Sequence, residues 1–408
     1  MSSVQDMVKE KMKILEGGAL KELHKTFGEN SYYIGKKTIP QVPLICSSGS
    51  LNLDEALGIG GWPAGRIIEI GGQESSGKST LTLINIAECQ RKGMLCAYVD
   101  AEQSFDPGWA AKLNVDVENL LVVQPDYCEE AFNMLRVILD SSVMSLVVVD
   151  STNSMIPKRL FEGDPGDSGM GLAARIFSQE LPIIRTKCTN TGTTVIFLSQ
   201  VRSKIGGYGN PDVIGVGNAL KFYSSIRIKT SKAEVEKTDE EGQEKVDVNM
   251  SIFKNKVGIP FKKASFTLNT GKDGEYGIDT MKELIEYAIR YEMVKKAGSW
   301  FSYMPVGGAE EKLGQGMPNV KKFFKENPVV FEKVRGDILQ KIQDARNVAV
   351  GVTPDSFNSV MSAVEDKPKR RSKKEEAVEE KVLDIKEAEL IPDAETLEYM
   401  KEVGEIDK

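Results

Sequence analysis

The chain has little of what several common chemistries require. Its 408 residues include one histidine, His24, so a Ser-His-Asp triad, a two-histidine zinc helix or a histidine-rich metal centre would each have to be built around that single ring. The five cysteines, Cys46, Cys89, Cys96, Cys128 and Cys188, are odd in number and nowhere spaced as C-x-x-C. That argues against a zinc ribbon or disulfide framework and for reduced, intracellular thiols. No apolar run approaches the roughly 18 residues needed to span a bilayer. The first residues, MSSVQDMVKEKMK, alternate charged with apolar positions and offer no signal-peptide core. A cytoplasmic protein with no membrane partner is expected.

What is present is a globular composition, 40% hydrophobic and 28% charged, on a chain longer than one usual domain. One large domain with smaller attachments is expected. The formal net charge is -7, but the segment from Val352 to Lys408 carries 10 basic and 16 acidic residues, so all but one of those charges lie in the tail. The nearly neutral remainder could bind nucleic acid only through local loops and grooves.

Val4, Val8, Met12 and Leu15 recur at helical spacing and predict an amphipathic N-terminal helix ending near Gly17 and Gly18. From Arg66 onward RIIEI, LCAYVD, LLVVQ, SLVVVD and TTVIFLSQ alternate with helical patterns after Ser79, from Pro107 and from Glu129 to Asp140. Buried strands alternating with helices predict an α/β fold with a mostly parallel sheet. SSIRIKT, VDVNMSIFKNKV and ASFTLNT read as antiparallel strands extending it. Beyond them a small α+β domain is expected, with helices MKELIEYAIRYEMVKK and VKKFFKENP around a glycine-rich hairpin. After Val352 the composition is that of a flexible charged tail.

The sharpest motif is GGQESSGKST, which contains G-x-x-x-x-G-K-S from Gly72 to Ser79 between the strand RIIEI and a helix. Phosphate binding needs converging backbone N–H groups, tight turns and a helix N-terminus, and this context supplies them. Gly72, Gln73, Glu74, Ser75, Ser76 and Gly77 would form the cradle. Lys78 would neutralise the β- and γ-oxygens, and Ser79 would ligate Mg2+. Asp150, ending SLVVVD, is the candidate for the metal shell, acting through water. In-line attack of water also needs a general base, and Glu102, just past LCAYVD, is favoured if that strand lies beside the phosphate-loop strand. Asp100 and Asp106 compete for the role.

The segments GGQESSGKSTLTL, CAYVDAEQSFDP, VVVDS, EGDPGDSGMGLAAR, FLSQVRSKIG, GNALKFYSS and KNKVGIPFK, in this order, closely resemble the bacterial RecA recombinases. The resemblance spans most of residues 1 to about 345. It implies a DNA-dependent ATPase that polymerises as a helical filament on single-stranded DNA, pairs it with homologous duplex and exchanges strands, in homologous recombination and repair. It implies four parts: an N-terminal helix and oligomerisation strand (1–39), a RecA-like ATPase core with the DNA loops (40–271), a small C-terminal domain (272–345) and the tail (346–408). ATP and Mg2+ are the implied cofactors, held by Lys78, Ser79, Thr80 and Asp150, with Glu102 as base and Asp106 and Trp109 at the nucleotide. Trp109 stands where the family usually stacks a tyrosine on adenine.

By the same resemblance, Gln200 is the γ-phosphate sensor, and Lys254 and Lys256 reach the γ-phosphate of the adjacent protomer. Met170 and Arg175 belong to the first DNA loop, and Arg202, Ile205, Tyr208, Gly217 and Asn218 to the second. Mediator or single-strand-binding proteins are further implied partners. Departures are equally plain. Asn249, Ser251 and Pro182 replace residues that are commonly basic in the family, the second loop is one residue shorter, and the KPKRRSKK block is unlike a purely acidic tail. Duplex capture is therefore expected to be less secure than single-strand binding. The rival expectations are an ATP-gated filament scaffold or mediator with little turnover, and a ring motor or small-molecule kinase on the same core.

Overall fold

The structure is a computed structural model that describes residues 4–28, 43–164, 171–203, 212–214, 218–238, 243–271, 275–304 and 310–349. Two compact units are distinguished, residues 1–341 and 342–408. Apart from the last turns of the final helix, all the described elements belong to the first unit.

The predicted N-terminal helix is α1 (Val4–Gly17). A second, α2 (Ala19–Phe27), follows it, unread in the sequence, and buries none of its residues. Met7, Val8, Ile14 and Leu15 of α1 are likewise exposed. Helix α3 (Leu51–Leu57) starts where the Ser50 hydroxyl accepts the Leu53 N–H and stops at Gly58, at φ 84°.

Strand and helix then alternate as predicted: β1 (Ile67–Gly72), α4 (Lys78–Gln90), β2 (Leu95–Asp100), α5 (Pro107–Lys112), β3 (Leu120–Val123), α6 (Cys128–Asp140) and β4 (Met144–Asp150). Helices α7 (Lys158–Phe161) and α8 (Leu172–Thr191) lead to β5 (Thr194–Ser203), whose end pairs with β6 (Asp212–Ile214). After α9 (Ala219–Tyr223) come β7 (Ile226–Thr238), β8 (Gln243–Asn255), β9 (Lys263–Thr270) and β10 (Tyr276–Ile278). The main sheet runs β10-β9-β8-β7-β1-β5-β4-β2-β3. It is parallel from β7 to β3 and antiparallel from β7 to β10.

One expectation is corrected by this order. β2 does not lie beside the phosphate-loop strand β1, because β5 and β4 stand between them and β7 takes the other edge of β1. The cause is two-sided burial. β1 is buried at every residue, as is β5 from Thr194 to Ser199, whereas β2 exposes Leu95 and β3 exposes Leu121, which suits strands near the sheet margin.

The pleat divides the core between the two faces. Ile68, Ile70, Leu146, Val148, Ile196 and Leu198 pack with Leu81 and Ile84 of α4. Their neighbours Ile67, Val147, Val149, Val195 and Phe197 pack with Phe132 of α6 and Phe177 of α8. Each such side chain contributes about 1.5–3 kcal/mol by leaving water. This clamp from both faces is what holds the strand ends still.

Beyond the sheet, α10 (Thr280–Arg290) is capped by the Asp279 carboxylate accepting from Lys282 N. It is shorter than the predicted MKELIEYAIRYEMVKK. The chain turns at Glu292, φ 59°, and VKKA becomes β11 (Val294–Ala297), paired with β12 (Trp300–Tyr303). The helical pattern fails there because Met293 and Val294 are buried while Lys295 to Ala297 are exposed, and Met293 N bonds back to Ala288 O. Strand β13 (Glu311–Gln315), α11 (Gly316–Glu326) and α12 (Pro328–Ala349) complete the described chain. Helix α12 was not read in the sequence. It buries Val334 and Ile338, which recur at helical spacing.

Candidate active site

Pairing register brings the candidate residues to one edge. Gly72 at the end of β1 lies opposite Gln200 of β5, and Asp100 at the end of β2 lies opposite Asp150 at the end of β4. The loop 73–77 crosses from β1 to α4, with Ser75 at φ 56° and Gly77 at φ 81°. Gly72 admits no side chain: a Cβ there would stand 2.0 Å from Thr230 Oγ1 and 2.5 Å from Ser76 Oγ. Those two hydroxyls are themselves hydrogen-bonded at 2.8 Å beneath the loop.

Lys78 is buried, and its ammonium donates to the carbonyls of Gly72 (3.1 Å) and Gln73 (2.7 Å). Burial pushes it below the ordinary lysine value, while Asp150, Glu102 and Glu74 pull it back up. Ser79 donates its hydroxyl to Asp150 Oδ2 at 2.7 Å, and Tyr98 donates to the same oxygen at 2.6 Å. Burial holds the Asp150 carboxyl above the ordinary carboxylate value against these two bonds. The result is a cation, a hydroxyl and a buried carboxylate gathered at the loop and the first turn of α4, which is a phosphate and hard-metal donor set.

Glu102 stands exposed just beyond β2 although β2 is not beside β1. Its Oε1 accepts from Ser151 Oγ, from Ser154 Oγ at 3.4 Å and from the Gln200 side-chain amide at 3.3 Å. Gln200 is itself held by Asn153, whose Oδ1 accepts the Gln200 N–H at 2.7 Å. Asn153 and Ser151 are site residues that the sequence analysis missed. Their signal was only their place directly after SLVVVD.

The competing carboxylates are both engaged in backbone. Asp100 is fully buried and accepts from Ser104 N, Phe105 N and the Gln124 side chain at 2.9–3.0 Å. Asp106 caps α5, accepting from Gly108 N and Trp109 N at 2.8 and 3.0 Å. Trp109 packs edge-on against Tyr276, with ring centroids 5.8 Å apart. Thr80 lies in the first turn of α4.

Lys254 and Lys256 are not brought to this edge. Lys254 lies opposite Arg227 near the start of β7, and Lys256 N bonds Ser225 O, whose own N–H bonds Ile67 O at the opposite end of β1. Arg227 pairs with buried Glu69 and stacks on Phe253 at 4.7 Å. Lys254 Nζ donates to Lys221 O (2.6 Å) and Phe222 O (3.2 Å) at the end of α9. Partial burial, then the charges of Lys256 and Arg227, lower its pKa to about 8.

Of the candidate DNA-binding residues, Met170, Ile205, Tyr208 and Gly217 lie outside the described residues, as do most of both loops. Arg175 is exposed on the first turn of α8, Asn218 is exposed directly before α9, and Arg202 lies on β5 opposite Val213 of β6. Asn249 and Ser251 line a cavity of about 910 Å³ together with Lys262, Lys263 and Arg290. The cation opposite Ser251 was also missed, because strand register and not sequence adjacency sets Lys263 there.

The model of the RecA N-terminal domain matches residues 13–274, and that of the RecA C-terminal domain matches residues 282–343. The chain is similar to "Protein RecA" of Campylobacter hominis, with 46% identity over 336 residues, covering 81% of this chain and 93% of that protein. It is 44% identical to "Protein RecA" of Wolinella succinogenes over 79% of this chain and 90% of the relative. With "Protein RecA" of Sulfurovum sp. it shares 43% identity over 84% and 95%.

Proposed function

The chain belongs to the bacterial RecA family, and from that premise we propose that the strand-end constellation binds and hydrolyses ATP under the control of single-stranded DNA. The protein acts in homologous recombination and DNA repair, and its fold is a RecA-like α/β core followed by a small C-terminal part with an antiparallel sheet. The proposal keeps the four-part division at 39, 271 and 345 and a cytoplasmic location. No helix among the described residues is long and apolar enough to cross a membrane.

The residues fit a nucleoside triphosphate with Mg2+. Glycine at position 72 lets the loop close over the Ser76 and Thr230 hydroxyls, and the Ser79 hydroxyl with Asp150 is an all-oxygen donor pair of the kind Mg2+ takes. Bound Mg2+ would supply positive charge to the phosphate oxygens. The chain's own residues do the rest. Lys78 neutralises the terminal phosphates, the left-handed turn at Gly77 aims the α4 N-terminus at them, and Trp109 offers a ring to the base. Glu102 orients a water and takes its proton.

The observation that carries the reading is the Gln200 amide on Glu102 Oε1. It connects the candidate base to β5, the strand that leads directly into residues 204–217. Loss or gain of a terminal phosphate at Gln200 would thereby alter that segment's grip on DNA. Contacts to the polynucleotide are assigned to Met170, Arg175, Arg202, Ile205, Tyr208, Gly217 and Asn218, with stacking worth about 1–3 kcal/mol per base. Lys262 and Lys263 offer cations for a second, duplex DNA where Asn249 and Ser251 do not.

Lys254 and Lys256 stand at the far end of β1, so they can meet a terminal phosphate only on a neighbouring copy. The exposed apolar positions of α1 support such self-association into a helical filament. Mediator and single-strand-binding proteins remain proposed partners. The test is ATP turnover with and without single-stranded DNA, run beside strand exchange. Turnover should rise with DNA and with filament assembly; equal rates would overturn the reading in favour of a scaffold with little hydrolysis.

A further inference from the structure

A line of buried polar side chains crosses the core between the lysine end of the sheet and the phosphate end. Arg227 of β7, set opposite Glu69 of β1 by strand register, donates its Nε to Glu69 Oε2. Ser199 of β5 donates its hydroxyl to Glu69 Oε1 at 3.3 Å, and the Thr152 hydroxyl, just past β4, lies 3.0 Å from Ser199 Oγ. Thr152 is fixed there by its own N–H, which bonds Leu198 O at 2.9 Å. Its Oγ1 also stands 3.4 Å from Asn153 Oδ1, the atom that accepts the Gln200 N–H. Glu69 is 1% exposed, and Ser199 and Thr152 are fully buried. A buried polar atom without a partner is costly, so each member of the line holds the next in place. Because Lys254 lies directly opposite Arg227, the line joins that lysine to Gln200.

The line has fewer protons than contacts. Ser199 and Thr152 bring one hydroxyl proton each, whereas three gaps need one: Ser199 to Glu69, Thr152 to Ser199, and Thr152 to Asn153. The shortest, at 3.0 Å, is the worst to leave without a proton, so two settings remain. In the first, Ser199 donates to Glu69 and Thr152 to Ser199, and Asn153 Oδ1 keeps only the Gln200 N–H. In the second, Ser199 donates to Thr152 and Thr152 to Asn153, which ties Asn153 down. The choice is set at Glu69. A carboxylate fully neutralised by Arg227 asks least of Ser199, and one whose Arg227 is drawn elsewhere claims the Ser199 proton.

We propose that Ser199 and Thr152 are positioning residues for Gln200, and that their two hydroxyl settings carry the arrival of a neighbouring copy's terminal phosphate at Lys254 to the sensor of this copy's own site. The inference rests on the roles proposed above for Lys254 and Gln200 and adds the route between them. A phosphate brought to Lys254 also attracts the Arg227 guanidinium beside it and loosens its hold on Glu69. Glu69 then claims the Ser199 proton, Thr152 turns to Ser199, and Asn153 is released to move with Gln200. No covalent bond changes. A hydroxyl proton points at one acceptor or at the other, which supplies the discrete two-state element that coupling between distant sites requires. Occupancy of one copy therefore alters turnover in the next.

The test is turnover against ATP concentration for the full chain assembled on single-stranded DNA. Wild type should give a sigmoidal curve, and Thr152→Val, which keeps the shape and removes the hydroxyl, should give a hyperbolic one with a Hill coefficient of about 1. Thr152→Ser should restore the sigmoid although serine fills less space than valine, a rescue that a packing role would not show. Ser199→Ala should also be hyperbolic, and adding Thr152→Val to it should change nothing further, because both residues serve one line. A sigmoid that survives in Thr152→Val, or effects of the two substitutions that add, would overturn the inference; if the valine variant does not fold, a sigmoid in Ser199→Ala does so alone. A hyperbolic wild type that DNA still stimulates would also overturn it and leave the ATPase reading standing. Equal wild-type turnover with and without DNA would sink that reading and this inference together.

Discussion

The two ends of strand β1 are finished to very different degrees. At its C-terminal end Lys78 is already held by the carbonyls of Gly72 and Gln73, Ser79 by Asp150 and Gln200 by Glu102, all within a single copy. Near its N-terminal end Lys254 leans on two main-chain carbonyls and Lys256 is exposed, with no phosphate loop facing them. A preorganised site costs little rearrangement when its ligand arrives, whereas unneutralised cations of this kind gain their value only when anionic charge is brought to them. On the proposed reading, one end is a complete binding site, and the other is half of a site whose remainder assembly would supply.

The largest expected effect breaks the finished end. Lys78→Ala should remove nucleotide binding and lower turnover by roughly 10²–10³-fold or more, read by nucleotide titration and phosphate release. Glu102→Gln sharpens the contrast within that end, since binding should survive nearly unchanged while turnover falls by about 10²-fold. A Glu102→Gln protein with normal turnover would move the base to another residue.

How much of this could be read beforehand is clear from particular residues. The positions of the phosphate loop, Asp150 and Glu102 at strand ends were legible because each follows a short apolar run, though the ground on which Glu102 was favoured, a strand beside β1, was not met. The place of β2 was not legible. Local periodicity marks a strand but not its neighbours, which are chosen by two-sided burial across the whole sheet. Asn153 and Lys263 were missed for the same reason, being matched to Gln200 and Ser251 through space alone. The meeting of Cys46 and Cys89 in the core escaped because spacing rules look for cysteines close in sequence, and these two come together only after folding. Helix α12 was overlooked through its weak apolar periodicity.

Smaller effects probe the unfinished end. Lys254→Ala should leave nucleotide affinity of the dilute protein unchanged yet lower DNA-stimulated turnover by about 10–100-fold. Because the Lys254 pKa lies near 8, its charge is lost as pH rises through that value. DNA-stimulated turnover should therefore decline there, and Lys254→Arg should flatten the decline. A pH profile identical in wild type and Lys254→Arg would detach this lysine from the reaction.

The smallest effect on turnover is expected at Glu283, remote from both ends. Its carboxylate is buried, accepting from Ser50 Oγ at 2.6 Å and Leu51 N at 2.8 Å, and burial raises its pKa to about 7. The folded form binds this proton more readily than the unfolded chain does. The stability it confers is thus complete below the ordinary carboxylate value and is lost as pH rises to about 7, a change of roughly 3 kcal/mol at most. Chemical denaturation across that range should show the slope in wild type and not in Glu283→Gln.

Strand β7 touches both regions. Arg227 lies beside Lys254, and only three residues on, Thr230 props up Ser76 from below. Extended chain advances about 3.3 Å per residue, so roughly 10 Å of nearly inextensible backbone joins the two points. On the proposed reading, a tug delivered by an adjoining subunit at the first would be felt as a shift of the second, and β7 would serve as a tie-rod between what one molecule grasps and what the next one presses upon.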